Sequence, residues 1–125
     1  MSSAISPITL TIAADPQLAR LVRMTAANVA ALSSMSVDRI EDIRMAAEEA
    51  FIYVSSISPA GALTVTFEVD AEHVSLTFAT ELEDFPELDD GDPAAYADLI
   101  LSAVCDAYQK TASPAALTLN LKADV

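Results

Sequence analysis

The stretch Ser36–Ile57, SVDRIEDIRMAAEEAFIYVSSI, decides how this chain is read. Ile40, Ile43, Ala47, Ala50, Val54 and Ile57 recur at steps of three and four, so on a helix they fall in one continuous apolar stripe. Such a stripe requires a surface to pack on. Ser36 or Asp38 can cap the first turn, and Glu41 stands at the capping-box distance from Asp38. At about 100° per residue, Glu49 and Tyr53 lie one turn apart at the margin of the stripe, beside Asp42 and Met45. That margin is where a helix offers side chains to a ligand.

Upstream, Ile8, Leu10 and Ile12 alternate with Thr9 and Thr11 after Pro7, the pattern of a half-buried strand. Asp15 and Pro16 supply a cap and a first-turn proline for a helix to about Leu32, with Leu18, Leu21, Val22, Thr25, Val29 and Leu32 as its buried stripe. Arg20 and Arg23, with Ala27, project from the other side. The short link from Ser33 to Ser36 makes the two helices neighbours.

Downstream, Ser58 to Gly61 break the helix. Leu63, Val65, Phe67 and Val69, then Val74, Leu76 and Phe78, alternate with polar residues, and Asp70 to Glu72 between them suit a hairpin. One face of this sheet packs on helices, and its Thr-rich face looks outward. Glu81 to Asp92 carries seven acidic residues and no basic one, so like charges hold it as an extended loop. Asp92 and Pro93 open a helix to about Thr111. Tyr96, Leu99, Ile100, Ala103, Val104 and Ala107 turn toward the core, and Leu101, Cys105 and Tyr108 lie on a second side, either covered or kept for a partner. Pro114 ends the link to a last strand through Leu117, Leu119 and Leu121. The order β-α-α-β-β-α-β, with alternating strands, predicts an α+β two-layer sandwich: helices on one face of a mostly antiparallel or mixed sheet.

At 125 residues the chain is read as one domain spanning 1–125. Nineteen acidic residues against six basic ones give a net charge of −13, which argues against direct nucleic-acid binding. Four of those six, Arg20, Arg23, Arg39 and Arg44, fall in the first two helices, the natural place for an acidic partner. No stretch approaches the ~18 apolar residues of a membrane helix. The start MSSAISPITL lacks the pattern of a signal peptide, so the cytoplasm is the expected compartment. Cys105 is the only cysteine, which excludes an internal disulfide and disfavours a Cys-based metal site. His73 has no second ligand at metal spacing, and Asp89, Asp90 and Asp92 lack the glutamate of a calcium hand. No metal is expected.

ARLVR, then SVDRIEDIRMAAEEA, then paired strands and a late helix resemble the small bacterial anti-sigma-factor serine/threonine kinases of the histidine-kinase-like ATPase (GHKL) superfamily. The likeness runs from Ile8 to Lys122 and implies the Bergerat-type fold of that superfamily. In the family this helix carries Glu-x-x-x-Asn, where Glu acts as general base in phosphoryl transfer and Asn binds magnesium. Glu49 stands at the first position, but Tyr53 at the second is a poor magnesium ligand. The family's Asp-x-Gly-x-Gly-Phe, which reads adenine, corresponds to Thr80, Leu82, Asp84 and Phe85, so only the phenylalanine is kept. Where the family wraps the phosphates with glycines, the chain reads Asp89, Asp90, Gly91, Asp92, Pro93, and carboxylates reverse the local field.

The resemblance therefore implies a degenerate kinase without catalysis or ATP, a regulator acting by partner switching in bacterial transcription control. Its implied partners are a sigma factor and a small anti-anti-sigma (STAS-type) domain, with a homodimer also implied, and Arg20 and Arg23 are the expected partner contacts. Two alternatives compete. One is an active ATP- and magnesium-dependent serine/threonine protein kinase using Glu49. The other is a ligand sensor that has remodelled the former nucleotide pocket around Tyr53, Phe85 and the acidic loop.

Overall fold

The computed structural model of the protein describes residues 5–58, 61–87, 91 and 93–124. Strand β1 is Ile8–Ala13, and a 3-10 turn at Pro16–Leu18 leads into helix α1, Ala19–Ala30. Helix α2 is Val37–Ile57, followed by strands β2, Ala62–Val69, and β3, His73–Ala79. Helix α3 is Pro93–Val104, and strands β4, Ala107–Thr111, and β5, Ala116–Lys122, complete the chain. The five strands form one antiparallel sheet in the order β1-β2-β3-β5-β4. The protein is thus an α+β structure with three helices on that sheet.

Alternation builds the core. Leu63, Val65, Phe67 and Val69 of β2, Val74, Leu76 and Phe78 of β3, and Leu117, Leu119 and Leu121 of β5 are all buried on one face. Each such side chain is worth about 1.5–3 kcal/mol against full exposure. The turn between β2 and β3 closes as the hairpin that Asp70 to Glu72 suggests: Asp70 N–H donates to the His73 carbonyl, and its carboxylate accepts from the backbone of Glu72 and His73. On the other face the polar partners Thr9, Thr66, Thr77, Thr118 and Gln109 lie in register across all five strands.

Helix α2 has the limits that its sequence gives. The Ser36 hydroxyl accepts from the Arg39 N–H and so caps the first turn. Ile43, Ala47, Ala50 and Val54 are fully buried, while Ile40 and Ile57 pack at the margin of the core. Phe51 is buried and Met45 is exposed.

Three expectations are corrected. The helix read from Asp92 to about Thr111 ends at Val104, and residues 107–111 form β4 along the outer edge of β5. Asp106 N–H donates to the Asn120 carbonyl at that reversal, so the free edge of β5 claims a segment whose own periodicity continues α3. On α3 itself, Ala97 and Leu101 face the core, whereas Tyr96 and Leu99 are 61% and 69% exposed. On α1 the buried residues are Ala19, Val22, Ala26, Val29 and Ala30, while Leu21, and Leu32 in the turn past its end, face solvent. In both helices small residues are inward, because α2 presents Ala46, Ala47 and Ala50 and alanines let helix axes approach closely.

Candidate functional site

The sequence points to the side of α2 that carries Glu49 and Tyr53, and the fold closes over that side. Tyr53 is inside, only 1% exposed, and its hydroxyl has no hydrogen-bond partner within bonding distance among the described residues. The Phe85 ring lies 6.0 Å from it, centroid to centroid, tilted by 55°. Between them comes a residue from the unexpected strand: Lys110 Nζ stands 5.0 Å from the centre of the Tyr53 ring and 5.5 Å from that of Phe85. An ammonium over two aromatic faces is a cation–π arrangement.

Strand β4 delivers Lys110 because Lys110 pairs with Leu117 and Tyr108 with Leu119, so both side chains point to the helix side of the sheet. Asp98 of α3 meets them there. Its carboxylate accepts from the Tyr108 hydroxyl at 2.6 Å and from Lys110 Nζ at 2.7 Å. Burial works against the Lys110 charge, but the Asp98 hydrogen bond and the nearby Tyr53 outweigh it and hold the ammonium above its usual range. Burial, reinforced by the Asp98 carboxylate, pushes the Tyr108 phenol up strongly, so it stays a neutral donor.

The segment 80–85 is pinned beside this cluster by its backbone. The Thr80 hydroxyl is buried, donates to the Ala115 carbonyl at 2.7 Å and accepts from Leu82 N–H. Ala115 N–H donates to the Leu82 carbonyl and Ser113 N–H to the Glu83 carbonyl. Asp84 is exposed, and its carboxylate accepts from the Phe85 N–H at 2.8 Å. Of the residues that the resemblance assigns to the pocket, Tyr53 and Phe85 are brought together. Thr80 and Leu82 serve the loop anchor instead. Glu49 is half-buried and makes no hydrogen bond or ion pair among the described residues. The carboxylates of Asp89, Asp90 and Asp92 lie outside the described residues; Gly91 has φ +93°, a conformation that suits glycine.

A second feature lies between α1 and α2. Arg20, Arg23, Met24, Ala27, Asn28 and Arg44 line an open groove of about 330 Å³. Glu48 neutralises Arg23 at 3.3 Å, and Glu41 neutralises Arg44 at 3.1 Å. Arg20 is exposed and forms no ion pair among the described residues. Arg39, counted by sequence with this patch, belongs elsewhere. Its guanidinium bonds Asp42, Asp106 and the carbonyls of Lys122 and Val104, tying α2 to α3 and β5.

Among the described residues no three His, Cys, Asp or Glu side chains converge as a metal site, and no helix is long and apolar enough to cross a membrane. Sequence reasoning missed Lys110 and Asp98 and set Tyr108 on a second side of the late helix, because residues 107–111 continue the spacing of α3 and give no signal of their own for β4. Compared with protein-family models and with curated proteins, the chain matches none.

Proposed function

We propose that the protein is a non-catalytic, protein-binding regulator of the anti-sigma-kinase type, with the histidine-kinase-like fold and without ATP binding, acting by partner switching. The observation that carries this reading is the filled pocket: where the resembling kinases hold magnesium and nucleotide, the Tyr53 ring is fully buried with Phe85 and Lys110 packed against it. Phosphoryl transfer depends almost wholly on positioning and charge neutralisation. Beside Glu49 the chain has Tyr53 where the resembling kinases have their magnesium-binding Asn, and Asp89, Asp90, Gly91 and Asp92 where they wrap the phosphates, so a general base there would lack both aids.

The groove on α1 and α2 supports the binding half of the proposal. In a chain of net charge −13, a guanidinium without an internal counter-ion is a ready contact for a partner carboxylate, and among the described residues Arg20 is such a group. The partners proposed are a sigma factor and an anti-anti-sigma domain of the STAS type.

Calorimetric titration with ATP and ADP, with and without magnesium at millimolar nucleotide, tests the first half. No heat and no thermal stabilisation are expected, and micromolar affinity would bring the active-kinase reading forward. Arg20→Glu with Arg23→Glu tests the second half: affinity for a captured partner should fall at least tenfold, and unchanged affinity removes the groove from the proposal.

A further inference from the structure

The C-terminal end of α2 and the link from β1 into the 3-10 turn border an open cavity of about 530 Å³. Ser55 and Ala14 are buried and form its floor, and Asp15, Pro16, Ser56 and Gly61 stand exposed around its rim. Ser55 follows Tyr53 by two residues, about 200° round the helix, so the cavity lies on a different side of α2 from the Tyr53 cluster. It shares no residue with the arginine groove. The floor holds a polar group without a use: Ser55 is 2% exposed, and its hydroxyl has no hydrogen-bond partner among the described residues. A hydroxyl withdrawn from water and left unpaired costs stability. A helical serine or threonine can bond the carbonyl one turn back, as Thr25 does to Leu21 at 2.7 Å, but Ser55 does not. The Ser55 carbonyl is in a similar position, because its helical donor would be the N–H of residue 59, a proline, which has none.

The rest of the lining offers acceptors and has spent most of its donors. Ala14 N–H donates to the Gly61 carbonyl at 2.9 Å, and Asp15 N–H to the Ala13 carbonyl at 2.8 Å. Pro16 has no N–H, and the Ser56 hydroxyl donates to the Tyr53 carbonyl at 2.6 Å. The Asp15 carboxylate accepts from Gln17 N–H through Oδ1, and Oδ2 has no partner among the described residues. Glu81 Oε2 lies 4.0 Å from where a β-carbon on Gly61 would sit. The carbonyl end of α2 adds a partial negative charge, and no basic residue lines the cavity. An anion meets few donors here and an unfavourable field. Among the described residues no three metal-ligating side chains converge, and no aromatic ring lines the cavity to hold a quaternary ammonium. A primary ammonium carries one charge and three donors, which match a carboxylate with hydroxyl and carbonyl acceptors.

We propose that this cavity binds a small primary alkylamine, with its ammonium on the Ser55 hydroxyl and the Asp15 carboxylate. Ala13, Ala14 and Pro16 supply apolar walls for a short aliphatic body, and the volume is that of a small-molecule site. A carboxylate on the ligand would be repelled by Asp15 and Glu81, so the class is amines rather than amino acids. Binding there requires neither nucleotide nor a partner protein, and it stands apart from the regulatory reading.

Nuclear magnetic resonance of the isotope-labelled full chain, titrated with butylamine at constant pH and ionic strength, is expected to show saturable shifts of the Ala14, Asp15, Ser55 and Gly61 amides. Butyrate and tetramethylammonium should leave them in place. Ser55→Ala removes the hydroxyl and keeps every charge, so butylamine binding should weaken by at least about tenfold, the worth of a hydrogen bond to a charged group. Its thermal midpoint should hold or rise, since the hydroxyl removed is unpaired among the described residues. Asp15→Asn keeps a capping side chain for the 3-10 turn, removes the charge, and should weaken binding as much. Shifts that never saturate, the same shifts with tetramethylammonium or butyrate, or undiminished affinity in either variant would each overturn the proposal. So would a fall in the thermal midpoint of Ser55→Ala, which would give the hydroxyl a partner inside the fold.

Discussion

A buried tyrosine hydroxyl with no hydrogen-bond partner carries a desolvation cost of about 1–3 kcal/mol that its own ring burial must offset. Among the described residues Tyr53 is in that position, so Tyr53→Phe should leave stability to urea unchanged or raise it by about 1 kcal/mol. A loss of more than that would reveal a partner for the hydroxyl. Lys110 is the complementary case, since Lys110→Met keeps most of the apolar stem but removes the ammonium from two rings and from Asp98. Part of its charge faces solvent, so a loss of about 1 kcal/mol is expected in the same unfolding experiment, and no loss would mean that the ring contacts contribute nothing. Two of the three aromatic residues of this cluster are reached from the sequence: Tyr53 from its place on α2, and Phe85 through the resemblance, as the residue kept from the family's adenine-reading motif. Lys110 is not, because a lysine carries no helical or strand signature of its own and the residues around it continue the three-and-four spacing of α3.

At the scale of elements, local signals and tertiary demands divide the fold between them. The alternating strands β1, β2, β3 and β5 and both ends of α2 are written in short-range pattern and capping chemistry, and they form where those rules put them. β4 is not, since its formation depends on the unpaired edge of β5, a long-range partner that periodicity does not register. The inward faces of α1 and α3 were hidden for a related reason. Large residues dominate an apolar stripe read from sequence, yet close approach to the alanines of α2 selects Ala19, Ala26, Ala30 and Ala97. Arg39 shows how much one residue can join: from the first turn of α2 it bonds the end of α3, Asp106 and the end of β5. Arg39→Met should therefore cost about 2 kcal/mol, more than an exposed ion pair, because it leaves Asp106 and two carbonyls without their guanidinium. Hydrogen exchange would locate the damage at the junction of α2, α3 and β5; uniform destabilisation would show that the network is only a surface feature.

For the whole molecule, charge sets the response to pH, and two limbs are expected. A net charge of −13 repels itself at neutral pH, so protonating carboxylates toward the sequence isoelectric point of about 4.1 relieves the strain and raises stability at first. Specific carboxylates then reverse the trend. The Lys122 N–H and the Arg39 guanidinium hold Asp106 below the usual carboxylate range, the Ser36 hydroxyl and N–H do so for Asp124, and the Glu72 and His73 N–H groups for Asp70. A folded pKa below the unfolded value means stability that is present above about pH 4 and lost as pH falls through the folded values. On the alkaline side, burial pushes the Cys105 thiol up to about 11, with Asp106 adding to the rise and Arg39 opposing it. The unfolded thiol ionises near pH 8.5, so the folded state holds a proton that the unfolded chain releases, and stability declines from that point upward. Tyr108 and Lys110 have unfolded values near or above 10, so the thiol dominates the slope between about pH 8.5 and 9.5. Urea unfolding across that window should show falling stability in the native sequence and a much shallower decline in Cys105→Ala, whatever constant loss the smaller side chain brings. Equal slopes in the two proteins would mean that the thiol is accessible enough to ionise in place, and native Cys105 would then react with alkylating reagents as fast as the unfolded chain.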